Sequence, residues 1–407
     1  MVLGRRQVAL TPPLGTPSSM RTLNQRAVLE RLRHTGPATR PQIAKDTGLS
    51  KPTVGQALLG LEEAGLVRAT GRTSAGPGRS AVVYEADPTA GHVLAVDIGR
   101  ERIRLSVVDL SGTLIANRDE RNRCRSASSL VRAVRKLAEE LLESAGRTLD
   151  DVVVKVVGSP GVPDRGNRAL QHAPNLPGWG RRGLLDELEA ELGAGLMVEN
   201  DANLAALGER ESGAARGANS FVLITVGTGL GMGIVVDGKL FRGANGAAGE
   251  IGYLPYGRFD EAMLLSGELS PPPGGMLERV SAARSVVELA AAFGVEEPES
   301  AREVFDAARA GDGQALRAVE LIAVRLAYGV ASVAAVIDPE LVVLGGGVGR
   351  NGDLLLEPLH RALRGFTPLS PRIVEGELGE DAVLSGAIAV GLAEAQRLVF
   401  DRHFGGN

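Results

Sequence analysis

Lys51, Thr53 and Gln56 fall within six residues of one another and together offer the chemistry of base reading. A glutamine amide pairs bidentately with adenine, a threonine supplies a hydroxyl and a methyl for thymine, and a lysine reaches a base or a phosphate. Downstream, Arg72 and Arg79 stand among the glycines of GRTSAGPGRS, a turn suited to phosphate or minor-groove contact. A second chemistry is written in glycine. The runs VLAVDI before Gly99, VVVKVVG before SPGVP (159–163), FVLITV before Gly227-Thr228-Gly229 and ELVVL before Gly345-Gly346-Gly347 are β-branched stretches that end in glycine-rich turns. Such turns let a phosphate or a sugar approach backbone N–H groups at the carboxyl ends of buried strands. Taken singly, each is explained as well by a tight connection, since the 407 residues include 54 glycines.

The elements that must carry these residues separate into a tail, a small head and a large body. Residues 1–20 hold prolines and small residues without periodicity and read as a flexible tail. Helical spacing begins at Thr22, where Thr22 and Gln25 suit a capping box ahead of the stripe Leu23, Ala27, Val28, Leu29 and Leu32. A short helix over Pro41–Thr47 turns Ile43 and Ala44 inward, and Gly48 closes it. Ser50 then caps a third helix with Pro52 in its first turn and Val54, Leu58 and Leu61 on its inner face. Gly65 ends that helix, and two strands, Leu66–Thr70 and AVVYEA (81–86), flank the arginine-bearing turn. Three helices followed by a hairpin make a winged helix-turn-helix over residues 21–86, its third helix placed for the major groove of double-stranded DNA. Some winged helices serve instead as protein–protein modules.

Charge decides between those uses. The whole chain carries −4, which as an average argues against nucleic acid, yet residues 1–84 carry +8 and the remainder −12. A basic head on an acidic body confines the DNA contact to the head. Composition excludes much else. With 44% hydrophobic and 23% charged residues the chain is neither disordered nor a rod. Its one cysteine, Cys124, forms no intrachain disulfide and is given no role. No apolar run approaching the roughly 20 residues of a bilayer span is expected, nor a signal peptide, and the reading is a soluble cytoplasmic protein without membrane contact.

The order of the pieces in the body is more specific than any one of them. Asp97-Ile98-Gly99, Asn175-Leu176-Pro177-Gly178-Trp179, Glu199-Asn200-Asp201-Ala202-Asn203, Gly227-Thr228-Gly229-Leu230-Gly231, Gly249-Glu250-Ile251-Gly252, Ile337-Asp338-Pro339 and Leu344-Gly345-Gly346-Gly347-Val348 follow one another. Over about residues 92–400 this resembles the ROK family (repressors, open reading frames and sugar kinases). The head ahead of it resembles that of the family's regulators, such as xylose- and N-acetylglucosamine-responsive repressors. The resemblance implies an α/β body over residues 87–407 with a two-lobed, actin-like and sugar-kinase-like (ribonuclease H-like) fold. One lobe would comprise about residues 90–200 plus a C-terminal helix over 384–400, and the other about 201–383.

The resemblance also implies a sugar in the cleft. Asn200 and Asp201 match the pair that hydrogen-bonds sugar hydroxyls, Asp201 being the kinases' catalytic base. Glu250 and Glu278 match further sugar ligands, and Gly161 and Asn175 would line the cleft. A carboxylate at Asp201 is chemically apt, since it accepts a hydroxyl proton in catalysis or a hydrogen bond in sensing. The plainer readings are an acid favoured by a helix dipole at Asp201 and a solvated loop acid at Glu250. Gly99, Gly227, Thr228, Gly229 and Gly346 match the nucleotide-phosphate turns.

Two departures separate a sensor from an enzyme. The kinases continue Asp-Ile-Gly with Gly-Thr, whereas here Arg100 and Glu101 follow Gly99. Glu101 would set an anion near a triphosphate, although Arg100 suits a phosphate. Family members follow Gly-Glu-Ile-Gly with a histidine and then three cysteines that hold zinc; here Tyr253 replaces the histidine and the cysteines are missing. The expectation is therefore no metal, no cofactor and no catalysis. It is a DNA-binding repressor of carbohydrate genes, a homodimer or homotetramer on its operator, with a sugar or sugar derivative as effector. The alternatives are an active ATP-dependent sugar kinase with an appended head, or a DNA-binding scaffold whose cleft has decayed.

Overall fold

The computed structural model describes residues 17–73, 80–164, 166–171, 173, 176–257, 265–266 and 272–405. The head opens with α1 (Pro17–Thr35), followed by the two-residue strand β1 (Ala38–Thr39), α2 (Arg40–Thr47) and α3 (Lys51–Glu63). β2 (Val67–Thr73) and β3 (Ala81–Ala86) form the wing, and the sheet order β1-β3-β2 ties the wing back to the turn before α2. Val28, Leu29, Leu32, Ile43, Val54, Leu58 and Leu61 are buried together, so the three helices share one core. Ser50 caps α3 by accepting from the Thr53 N–H at 3.2 Å.

The start of α1 corrects the sequence reading. Proline suits a first helical position, and the helix begins at Pro17, so the last four residues assigned to the tail are helical. Residues 1–16 lie outside the described residues. Thr22 sits inside the helix, and Gln25 is buried at 4% exposure instead of closing a capping box. Its amide fills the space where a Cβ on Gly60 would stand.

Two five-stranded sheets build the body. The first, in the order β10-β7-β4-β5-β6, comprises β4 (His92–Ile98), β5 (Arg102–Asp109), β6 (Leu114–Arg121), β7 (Val152–Ser159) and β10 (Leu196–Asn200). A small hairpin of β8 (Val162–Asp164) and β9 (Ala169–Gln171) lies between β7 and β10 in the chain. The second sheet, β13-β12-β11-β14-β15, comprises β11 (Phe221–Val226), β12 (Leu230–Val236), β13 (Lys239–Leu240), β14 (Leu341–Gly345) and β15 (Arg372–Glu375). Each sheet is an antiparallel three-strand meander extended by two parallel strands, so the strand plan occurs twice. Every residue of β4 and β7 is buried, the condition that continuous β-branched runs satisfy.

α4 (Ala127–Ser144) and α5 (Leu184–Leu192) share a core with the first sheet, while α6 (Asp201–Ser212) and the C-terminal helix Ala382–Phe404 cross where the two sheets meet. The C-terminal helix packs on β4 and β7 of the first sheet, and α6 packs on β11 and β12 of the second. Between themselves they touch backbone to backbone. A Cβ on Gly386 would stand 1.8 Å from the Leu204 carbonyl oxygen, and one on Gly208 would stand 2.2 Å from that of Ala382. The expectation of no long apolar run needs correction as well. Helices Gly313–Ile337 and Gly379–Phe404 are long and apolar enough, by length and composition, to cross a membrane. Here Ala315, Val319, Ile322, Leu326 and Val330 of the first pack into the core of the second sheet, which explains their apolarity.

Candidate functional site

A cavity of about 220 Å³ opens where the ends of the two sheets face each other. Its wall joins Gly99 and Arg100 after β4, Gly161 after β7, Asn200 and Asp201 at the start of α6, and the turn Gly227–Gly229 between β11 and β12. Glu250, Tyr253, Glu278 and Gly346 complete it. The structure thus gathers into one cavity residues that are up to 247 positions apart in sequence. Asn175 lies outside the described residues. Its neighbour Trp179 is fully buried, and the indole donates to Ser159 Oγ at 2.5 Å, beside the Pro160-Gly161 turn.

Local bonds fix the polar groups. Asn200 is the N-cap of α6: its Oδ1 accepts from the Asn203 N–H at 3.1 Å while its amide donates to the Gly161 carbonyl at 3.2 Å. Asp201 Oδ1 accepts from the Ala202 N–H at 2.8 Å. Glu278 Oε2 accepts from the Leu230 N–H at 2.8 Å. Gly249 sets the turn that presents Glu250, since its φ is +102° and a Cβ there would stand 2.0 Å from the Met232 carbonyl oxygen. Glu199 accepts from Asn203 Nδ2 at 2.9 Å and from Arg242 Nε at 2.7 Å and so braces the start of α6.

The cavity concentrates carboxylates with raised proton affinity. Burial, then the nearby charges of Asp201 and Glu278, pushes the Glu250 carboxyl up to about 7. Burial raises Asp201, with backbone N–H groups opposing, and raises Glu278 as well. Tyr253 is held above the ordinary tyrosine range by burial and by Glu250. Carboxyls of this kind accept and donate hydrogen bonds to sugar hydroxyls near neutral pH.

Asp97 shows a feature that the sequence reading missed. It is buried, and burial followed by the charge of Asp201 pushes it up to about 7 despite Arg104. Arg104 is its direct cross-strand partner on β5 and Asp119 is the next partner on β6, which sets an acid–base–acid row across three strands. Arg104 Nη1 lies 3.3 Å from Asp97, Nε lies 3.5 Å from Asp119 and Nη2 lies 2.5 Å from Glu380, just before the C-terminal helix. The turn above is closed: Gly99 N–H donates to the Arg102 carbonyl at 2.9 Å, and Asn122 Nδ2 donates to the Gly99 carbonyl at 2.9 Å. Arg100 lines the cavity and Glu101 does not, so the expected anion beside a triphosphate is not in the wall.

On the head, Lys51 and Gln56 are exposed on α3, as is Arg72 on β2. Thr53 is half-buried and its hydroxyl is bonded to Ser50 Oγ at 2.8 Å, which ties it to the cap. Arg79 lies outside the described residues. Leu59, 59% exposed, adds an apolar side chain to the same outer face as Gln56. The head is anchored to the body. Arg26 of α1 donates to Asp401 at 2.9 Å and lies 4.7 Å from the ring centre of Phe400, both on the C-terminal helix.

Residues 93–394 match the model of the ROK family, and residues 26–71 match that of the IclR helix-turn-helix domain. The chain belongs to the ROK family. Among relatives in the ROK family, the xylose repressor of Caldicellulosiruptor bescii is 26% identical over 398 residues, covering 94% of this chain and 98% of that protein. The glucokinase of Halalkalibacterium halodurans is 32% identical over 313 residues, covering 72% of this chain and 92% of its own. A solved ROK family transcriptional regulator, homologous to the E. coli MLC protein, has the same fold with a TM-score of 0.73. It is 21% identical, and the match covers 95% of this chain and all of that one. This ROK chain therefore has the two-part build, helix-turn-helix head and ROK body, of DNA-binding regulators.

The zinc site that the ROK resemblance implies does not fit the residues present. Tyr253 offers a phenol where an imidazole is required, and the sequence that follows has no cysteine. Among the described residues no group of three His, Cys, Asp or Glu side chains is placed to hold a metal. Residues 258–264 and 267–271 of that stretch lie outside them.

Proposed function

We propose that this ROK protein is a transcriptional repressor whose cleft senses a sugar or sugar derivative without phosphorylating it. The observation that carries this reading is the reach of the C-terminal helix. Its first turns pack on α6, which begins with Asn200 and Asp201, and its last turns hold Arg26 of the DNA-reading head. Twenty-three helical residues extend about 34 Å, so one rod reaches from α6, whose first residues line the cleft, to the head. A ligand that binds one spacing of the lobes better than the other moves that rod and, with it, the pair of heads in a homodimer or homotetramer. Two heads must match half-sites about one helical turn of DNA apart, so a small displacement is enough to release an operator.

The cleft supports sensing over catalysis. Its volume is below the roughly 300–1,000 Å³ of pockets that bury drug-sized ligands and suits one monosaccharide. Arg104 sits against Asp97 at the end of β4, and the turn that would admit nucleotide phosphates carries Arg100 in place of glycine. Asn200, Asp201, Glu250, Tyr253 and Glu278 are assigned to the sugar, and Asn175 is kept as a candidate. Lys51, Thr53, Gln56, Arg72 and Arg79 are assigned to DNA. The retained Asp201 favours the second reading, an active sugar kinase with a regulatory head. A coupled ATP-turnover assay across a panel of hexoses, pentoses and amino sugars separates the two. The repressor reading expects no sugar-dependent turnover, and turnover abolished by Asp201→Asn would replace it with the kinase reading.

A further inference from the structure

Gly55 opens the second turn of α3, a position where glycine weakens a helix through its backbone freedom. The buried face of α3 does not call for it, since Val54, Ala57, Leu58 and Leu61 make that face. The space beside Gly55 is taken by Arg40. A Cβ on Gly55 would stand 3.3 Å from Arg40 Cζ, 3.3 Å from Nη1 and 3.5 Å from Nε, so the planar guanidinium lies face-on over the glycine.

Arg40 is the first residue of α2 and is exposed. Among the described residues it makes no ion pair, whereas the one acid of α2, Asp46, is taken by Arg31 at 2.6 Å. An arginine without a carboxylate partner is thus held flat against the recognition helix, on the flank next to the outward face that carries Gln56. A guanidinium fork matches the oxygens of a phosphate.

We infer that Arg40 contacts a DNA phosphate beside the groove that α3 enters, and that Gly55 keeps the flank of α3 open for it. The inference rests on the DNA-binding reading of the head. A phosphate contact fixes the position of α3 on the duplex and carries no base preference of its own.

The test uses the full chain and a fluorescent duplex recovered by in vitro selection with the wild-type protein, with a random duplex alongside. Arg40→Ala is expected to lose about tenfold in affinity for both duplexes and to lower the slope of log affinity against log salt by about 1. Gly55→Ala is expected to melt at the wild-type temperature or above it, because alanine favours the helix, and to lose affinity for both duplexes by less than Arg40→Ala does, since the guanidinium is displaced but not removed. Unchanged affinity and slope in Arg40→Ala overturn the inference, and so does a loss confined to the selected duplex. Selection that recovers no duplex with the wild-type chain instead removes the DNA-binding reading itself.

Discussion

Arg26 and Asp401, 375 residues apart in sequence, join the DNA-reading head to the last turns of the helix that packs on α6, with 2.9 Å between guanidinium and carboxylate. Both side chains are partly exposed, so the ion pair and the contact of Arg26 with Phe400 together contribute about 1 kcal/mol to stability. Their place matters more than their strength. Arg26→Ala is expected to leave the chain folded and to cut the ligand-induced change in operator affinity by more than half, read by fluorescence anisotropy with and without ligand. A full response in that variant would move the coupling to another contact.

The other end of the same helix gives a steric prediction. At Gly386 an added Cβ meets the Leu204 backbone oxygen, which no side-chain rotation relieves. Gly386→Ala is expected to destabilise the chain by about 2 kcal/mol or more, seen as a lower denaturation midpoint. Gly365→Ala, in a helix and with nothing within 4 Å, is the matched control and is expected to hold the midpoint or raise it, because alanine favours the helix.

Protonation of the cleft acids sets a pH dependence of stability. Asp97 and Glu250 are pushed up to about 7, above the ordinary carboxylate range near 4 of an unfolded chain. The folded state therefore holds protons that the unfolded state has already released, and stability from these groups falls as pH rises from about 4 through 7. Between pH 6 and pH 8 each group costs on the order of 1 kcal/mol. Denaturation midpoints are expected to fall over that window, and Asp97→Asn is expected to flatten part of the fall. A wild-type midpoint that rises from pH 6 to pH 8 would contradict these values.

Specificity on DNA is expected to rest on Gln56. Replacing it with alanine would remove the bidentate contact proposed for it, worth about 1–3 kcal/mol of discrimination at one base pair. Sequencing of duplexes selected by Gln56→Ala is expected to show one relaxed position in the site. A uniform loss of affinity with the same sequence preference would take the base-reading role from Gln56.

Local chemistry made the head legible in the sequence. Ser50 before Lys51-Pro52 announces a helix start, and Gly65 announces its end, because caps depend on neighbours in the chain. The strands of the body were legible because β-branched runs such as His92–Ile98 have no other economical use. The burial of Gln25 was not, since that residue is placed by Gly60, a partner 35 positions away whose missing side chain leaves it room. The order of the motifs marks the cleft residues, while the row Asp97, Arg104, Asp119 depends on strand register, which no local pattern carries. Long-range pairs such as Arg26 with Asp401, and the close approach of Gly386 to Leu204, leave no local signal at all.

The proposed regulation turns on one link, from the cleft to the operator. Its most direct test is the operator affinity of the full chain, measured during titration with a sugar that stabilises the same protein against heat. Affinity is expected to fall tenfold or more as the cleft fills, and Asp201→Asn to shift the midpoint of that fall to higher sugar concentration. A sugar that fills the cleft and leaves operator affinity unchanged would contradict that link.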